Sequence, residues 1–273
     1  MSLPSVKLNQ GIHVMHLFYR VDRERWQQLG VQASTAARSA VESLCAANAS
    51  PCHPRITTYA NVGGKADLVF MLQAAELGAV AQLHRDLEAA FPPGTMILDF
   101  SYLSVTELSE YMGTEADNRQ MLIEQEKLAP ESEAFATRMG ELTKRRLEYE
   151  HYRLYPEMPE WEIMGFYPMS KRRAPESEFN WYLLDFAARK KLMAGHARVG
   201  RKFAGRVSQL ITGSTGLDAW EWGVTLMAHQ ADALKEIVYE MRFDEVTARY
   251  GEFGPFYINL RLTPAQLWEH LRL

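Results

Sequence analysis

Ile56-Thr-Thr-Tyr-Ala-Asn-Val62, then Gly63-Gly64, then Leu68-Val-Phe-Met-Leu72 is the stretch that decides the fold of this chain. Two runs rich in β-branched, aromatic and aliphatic residues, with a glycine pair between them, predict two strands and a turn. The flanks are equally telling. Upstream, residues 23–47 set Trp26, Leu29, Ala33, Ala36 and Ala37 at spacings of three and four, which is a helical period. Residues 12–20 before them are apolar and aromatic, as in a strand. Downstream, residues 74–91 read as a helix that Pro92-Pro93-Gly94 breaks, ahead of a strand over 96–103. The order strand, helix, strand, strand, helix, strand is that of the split βαβ, or ferredoxin-like, unit.

The second half repeats this order without evident sequence identity. A strand is predicted over 161–167, a helix over 185–204, and strands over 207–212 and 220–227, with Gly213, Ser214 and Gly216 marking the turn between them. A helix over 232–243 and a strand over 256–262 follow. Two such units are expected to pack into an α+β barrel with the helices outside. The chain divides into an N-terminal half (1–106), a helical insert (107–153) and a C-terminal half (154–273). The insert is rich in Glu, Arg and Lys and reads as solvated helix supported by pairs three and four apart. Arg153 is a candidate exception, since it immediately precedes the next strand. The tail, 259–273, reads as one more helix.

At 273 residues, 47% hydrophobic and 23% charged, the chain can bury a large core without disulfides or metal staples. A net charge of −4 argues against a general nucleic-acid binder. Cys45 and Cys52 match no common zinc spacing and read as structural. No secretory leader and no apolar run of about 18 residues is visible, so the expectation is a cytoplasmic protein with no membrane-spanning segment.

The chemistry-bearing residues concentrate in the second half. Gly165-Phe-Tyr-Pro-Met-Ser-Lys171 sets an oxidisable phenol, Tyr167, four residues before an ammonium, Lys171. Pro168 is expected to stop the strand, leaving Lys171 in the loop beyond. The competing reading is a core tyrosine followed by a solvent-facing Lys-Arg-Arg cluster. None of the eight histidines forms a close metal-ligand pair, but a haem iron needs just one imidazole. His196 sits among Ala194, Gly195 and Ala197, whose small side chains would let a flat macrocycle approach the backbone. Gln209 is a neutral amide on a predicted strand, and a buried amide must find partners. Arg242 and Arg249 near a helix end could fork onto carboxylates, or pair internally with Asp244, Glu245 or Glu252.

Tyr167-Pro-Met-Ser-Lys171-Arg-Arg, Asn180-Trp-Tyr, Leu192-Met with His196, Gly200-Arg-Lys-Phe and Gln209-Leu-Ile-Thr-Gly-Ser form a series. It continues through Trp220-Glu-Trp-Gly-Val-Thr-Leu, Glu240-Met-Arg-Phe-Asp-Glu and Ala248-Arg-Tyr-Gly-Glu-Phe-Gly254. Over about residues 153–256 this series resembles the coproheme decarboxylases, peroxide-dependent haem synthases of the chlorite dismutase superfamily. The first half agrees mainly in element order and in Tyr102-Leu-Ser-Val.

The resemblance implies a dimeric α+β barrel subunit, usually assembled as a homopentamer. It implies His196 as the iron ligand of iron coproporphyrin III (coproheme), which is both substrate and redox centre. Gln209 would face incoming hydrogen peroxide, Tyr167 would carry the oxidising equivalent, and Lys171 would assist at a propionate. Arg153, Met169, Trp181, Arg242 and Thr247 would position the carboxylates. The product would be haem b, and a ferrochelatase-type donor is implied as a transient partner. Chlorite dismutases resemble the chain in fold but carry arginine where Gln209 aligns. The alternatives are a haem-binding or haem-transfer protein without turnover, or a chlorite dismutase or peroxidase of this fold. The 173–180 segment is slightly longer than the family's.

Overall fold

The structure is a computed structural model and describes residues 11–49, 53–173 and 179–273. Cys52 and most of the 173–180 segment fall outside the described residues. In the first half β1 (His13–Val21), β2 (Arg55–Asn61), β3 (Leu68–Ala74) and β4 (Met96–Thr106) are accompanied by α1 (Arg23–Gln27), α2 (Val31–Ala47) and α3 (Leu77–Ala90). The single helix expected over 23–47 is two, because Gly30 adopts an extended conformation and opens α2 as its N-cap. Ala74, expected to begin a helix, instead ends β3, where it pairs with His13. The insert carries α4 (Glu115–Glu124) and α5 (Glu133–Leu154), which pack on each other as a compact helical unit.

The second half runs β5 (Ile163–Lys171), α6 (Phe186–Arg201), β6 (Val207–Gly213), β7 (Trp222–Ala228), α7 (Ala231–Met241), α8 (Glu245–Tyr250), β8 (Gly251–Phe253), β9 (Tyr257–Arg261) and α9 (Pro264–Leu271). Residues 12–106 and 158–273 form one compact unit. Its strands pair antiparallel throughout, in the order β7-β6-β4-β1-β3-β2-β9-β5-β8, and β7 also pairs with β5. Each half therefore has the strand order of a ferredoxin-like unit, β4-β1-β3-β2 and β9-β5-β7-β6. Short ladders join the halves at β4–β6 (Val105↔Gly213) and β2–β9 (Ala60↔Leu260). The β5–β7 ladder lies within the second half, so these two joints close the ring, covering Val105–Thr106 of β4 and Tyr59–Asn61 of β2.

Strand alternation sorts the apolar residues into three cores. Val14, Phe18, Tyr59, Val69, Tyr102, Met164 and Phe166 fill the barrel. Leu17, Leu68, Phe70 and Leu72 face outward under α2, α3 and α9. The C-terminal helix belongs to this second core: Leu267, Trp268 and Leu271 are buried, and Trp268 stacks on Trp26 at 6.4 Å between ring centroids. The third core, around Val224, Leu226, Leu234 and Ile237, lies on the outer face of the second half.

Pro168 does not stop β5. It falls between the last β5 residue paired with β9, Phe166, and the first paired with β8, Met169. Its missing N–H thus coincides with a gap in that ladder, the position a strand tolerates, and its carbonyl accepts from Gly254 N at 2.9 Å. Inside the barrel, a Cβ added at Gly223 would lie 2.8 Å from Tyr102 Cε1 and 3.0 Å from Thr212 Oγ1. Gly223→Ala is expected to lose about 1–3 kcal/mol by overpacking. Thermal unfolding checks this, with Gly195→Ala, whose Cβ meets nothing within 4 Å, as the helix control.

Candidate functional site

Because β5 continues to Lys171, period two puts Gly165, Tyr167, Met169 and Lys171 on its outer face. Tyr167 and Lys171 thus project from one rigid strand rather than from a strand and a loop. β7 lies next to β5 and β6 beyond it. Tyr167 is opposite Val224, which is opposite Ile211. In the adjacent row Gly165 is opposite Leu226, which is opposite Gln209. Tyr167 and Gln209 therefore share the face, two strands and one row apart.

Above this face α6 buries none of its own residues and packs on α7 and α8. In the first half, by contrast, α3 lies on β1 and β3 and buries Val80, Leu83 and Leu87. Gln209, Ile211 and Met169 remain half-buried on the second-half face. Gln209 Nε2 donates to Gly200 O at 3.4 Å, and a Cβ at Gly200 would stand 3.4 Å from that nitrogen. Glycine one turn beyond His196 is what brings the amide against α6.

His196 Nδ1 lies 2.8 Å from Asp244 Oδ2. The same oxygen accepts from Thr247 N and Thr247 Oγ1, each at 3.1 Å, because Asp244 is the N-cap of α8. Burial works to raise the Asp244 carboxyl, but the bonds from His196 and Thr247 outweigh it and hold the group below its usual range. A carboxylate on Nδ1 fixes the tautomer and leaves the Nε2 lone pair for a ligand.

Tyr167 is stacked on Phe256 at 4.4 Å and packed near Phe253. Burial pushes its phenol up to about 12, with Arg242 acting in the opposite sense. The Arg242 guanidinium sits over the Phe253 ring at 4.4 Å. Lys171 is 6% exposed, and its Nζ lies over the Trp181 ring at 4.9 Å. Burial pulls the ammonium down to about 8, partly offset by the charges of Asp244 and Glu221. Among the described residues, neither the Lys171 ammonium nor the Arg242 guanidinium has a carboxylate within 4.0 Å. Arg249, the other candidate fork, is instead paired with Glu245 at 3.3 Å. Arg153 belongs to the helical unit, in the last turn of α5.

Two residues of the site were not singled out from the sequence. Asp244 had a legible signal, an aspartate three residues before a threonine at a helix start. Glu221 is 5% exposed, accepts from Lys171 N at 2.8 Å through Oε2 and faces Arg173 through Oε1 at 3.6 Å. Nothing in a lone glutamate between two tryptophans announces that. Among the described residues, the face as a whole offers one imidazole with a free nitrogen, a neutral amide, a buried phenol and two cationic groups without carboxylate partners. Such a set suits a ligand that carries carboxylates and an acceptor for one nitrogen. Among the described residues no three His, Cys, Asp or Glu side chains gather as a metal site, and no helix is long and apolar enough to cross a membrane.

Lys171 gives a stability test. Its pKa lies below the ordinary 10.5, so between about 8 and 10.5 the unfolded chain binds more protons than the folded one. Stability conferred by this group therefore rises with pH across that window. Lys171→Met should lack that rise, worth at most roughly 3 kcal/mol. Urea midpoints of parent and variant at pH 7 and pH 10 check it; parallel shifts would contradict it.

A family model described as chlorite dismutase matches residues 32–262. Among solved structures, the chain is similar to a haem-binding protein from Thermus thermophilus, with 35% identity over 96% of each chain and a TM-score of 0.76. It shares the fold of the chlorite dismutase from Candidatus Nitrospira defluvii in complex with imidazole, at 16% identity over 97% of each chain and a TM-score of 0.70. The mixed α+β fold and the antiparallel barrel with outer helices are those of this group, and the chain belongs to the chlorite dismutase family.

Proposed function

We propose that this protein binds iron coproporphyrin III on the outer face of β5, β7 and β6 and decarboxylates two of its four propionates with hydrogen peroxide, giving haem b. The observation that carries the reading is that Tyr167 and Lys171 lie buried on one face of one strand, with Arg242 beside Tyr167. A haem-binding protein needs a ligand and propionate partners; it has no use for a buried phenol four residues from a buried ammonium. The donor set fits an iron porphyrin: among the described residues, His196 has Nδ1 engaged by Asp244 and Nε2 free, and the Lys171 ammonium and Arg242 guanidinium lack carboxylates of their own. The haem-binding relative from Thermus thermophilus supports the same class of ligand.

His196 holds the iron through Nε2, and Asp244, clamped by Thr247, holds His196. Lys171 and Arg242 receive propionates, Arg242 by its fork, while Trp181 and Met169 wall the face. The bound iron porphyrin supplies the redox centre at which peroxide is reduced. Gln209 offers a neutral amide to peroxide without adding charge. Tyr167 gives up its phenolic hydrogen and recovers one from the propionate carbon chain, and its burial keeps water from quenching the phenoxyl. Lys171 holds a proton on Nζ below about pH 8. Each propionate consumes one hydrogen peroxide and one proton, and leaves a vinyl group, one carbon dioxide and two waters. As carboxylates are lost the cations lose partners, which favours product release.

Optical titration tests the reading. About two equivalents of peroxide per porphyrin should convert the bound coproporphyrin spectrum to that of haem b. Bleaching without that product would support a peroxidase of the same fold instead.

A further inference from the structure

The barrel interior holds polar groups that the outer-face site does not use. β2 turns Arg55 and Thr57 inward, β3 turns Gln73 inward, and β1 turns His16 inward. The register makes them neighbours. Arg55 is opposite Gln73, and Thr57 and His16 flank Met71 in the adjoining row. Side chains directly opposed across strands stand about 5 Å apart at Cβ, and diagonal ones about 7–8 Å. Gln73 and His16 are 0% exposed, Arg55 6% and Thr57 7%.

Among the described residues, Gln73 Nε2 and Oε1, Thr57 Oγ1 and His16 Nδ1 all lack a hydrogen-bond partner. Buried polar atoms in native proteins are satisfied almost without exception, so several together call for an occupant. Arg55 adds a cation. Among the described residues it has no carboxylate within 4.0 Å; the acid group on its side, Glu160, is paired with Arg261 at 2.7 Å. Burial is the main force pulling the Arg55 guanidinium below its ordinary value, and an anion beside it would restore it.

The chemistry of the set is selective. Arg55, Gln73 Nε2 and the Thr57 hydroxyl donate. His16 Nε2 lies 3.0 Å from Thr225 Oγ1, and when it accepts from that hydroxyl, Nδ1 carries the hydrogen and donates as well. Gln73 Oε1 can only accept. Several donors with one cation select an anion, and a guanidinium fork selects a planar one. That obligate acceptor favours an anion that itself carries a hydroxyl. We propose that the inner face of β1, β2 and β3 binds a small planar oxyanion through Arg55, Gln73 and Thr57, with hydrogencarbonate as the fullest chemical match.

Thermal unfolding of the full chain in sodium hydrogencarbonate, sodium formate and sodium chloride, at one pH and matched ionic strength, tests this. A ligand of the folded state raises stability with the logarithm of its concentration. The midpoint should climb in hydrogencarbonate, climb less in formate, which lacks the hydroxyl, and stay level in chloride. Gln73→Met and Thr57→Val, both close in volume, should each remove the climb; Arg55→Met should as well if it folds. Equal midpoints in the three salts would mean that water fills the site and would overturn the proposal, as would a climb that survives in Gln73→Met. Either result leaves the outer-face reading untouched.

Discussion

The Tyr167→Phe variant is expected to bind iron coproporphyrin III as the parent does and to decarboxylate it about 10³-fold more slowly, a barrier increase on the order of 4 kcal/mol. The separation follows from where the phenol sits. Its ring packs against Phe256 and Phe253, contacts that phenylalanine keeps. Removing the hydroxyl leaves the stacked ring, the His196–Asp244 pair and both cations in place, so porphyrin affinity and unfolding midpoint should barely move. Only the group proposed to exchange a hydrogen with the propionate is lost. Single-turnover kinetics alongside a binding titration check both parts. A variant that still converts its substrate at near-parental rate would remove Tyr167 from the reaction.

The second large effect is expected at His196. His196→Ala should lose the nitrogen proposed to hold iron and with it the absorption spectrum of an imidazole-ligated porphyrin, while added imidazole should restore the band. Asp244→Ala acts one step away. It frees Nδ1, removes the N-cap of α8 and leaves Thr247 N and Oγ1 without their acceptor. Loss of such a partner typically costs about 10–100-fold in metal-site affinity or activity. The band should persist but shift, as the imidazole becomes a weaker donor. An unchanged band in Asp244→Ala would show that the carboxylate does not tune the ligand.

Much of this was legible in the residues, and the exceptions have physical causes. The Ile56–Leu72 stretch, with helices on either side, gave the strand and helix order of the first half because its periodicities are local. The hidden part is where tertiary pairing decides. Pro168 reads as a stop, yet β5 passes through it because β9 and β8 take turns along one edge and the proline falls between them. That one continuation moves Lys171 from a loop to the strand face that bears Tyr167. Residues 245–253 carry α8 and β8 in nine positions, too short for a period to emerge. The pairing of His196 with Asp244 spans 48 residues, and that of Lys171 N with Glu221 spans 50. Neither distance leaves a trace in local pattern. Of the two arginines open to either reading, Arg249 pairs with its own helix and Arg242 does not.

The most direct measurement is mass spectrometry of the porphyrin after the protein, loaded with iron coproporphyrin III, is titrated with hydrogen peroxide. Stepwise loss of two carboxyl groups is expected, through one intermediate of three propionates, ending at haem b. Recovery of an intact four-propionate porphyrin, with peroxide consumed, would contradict it.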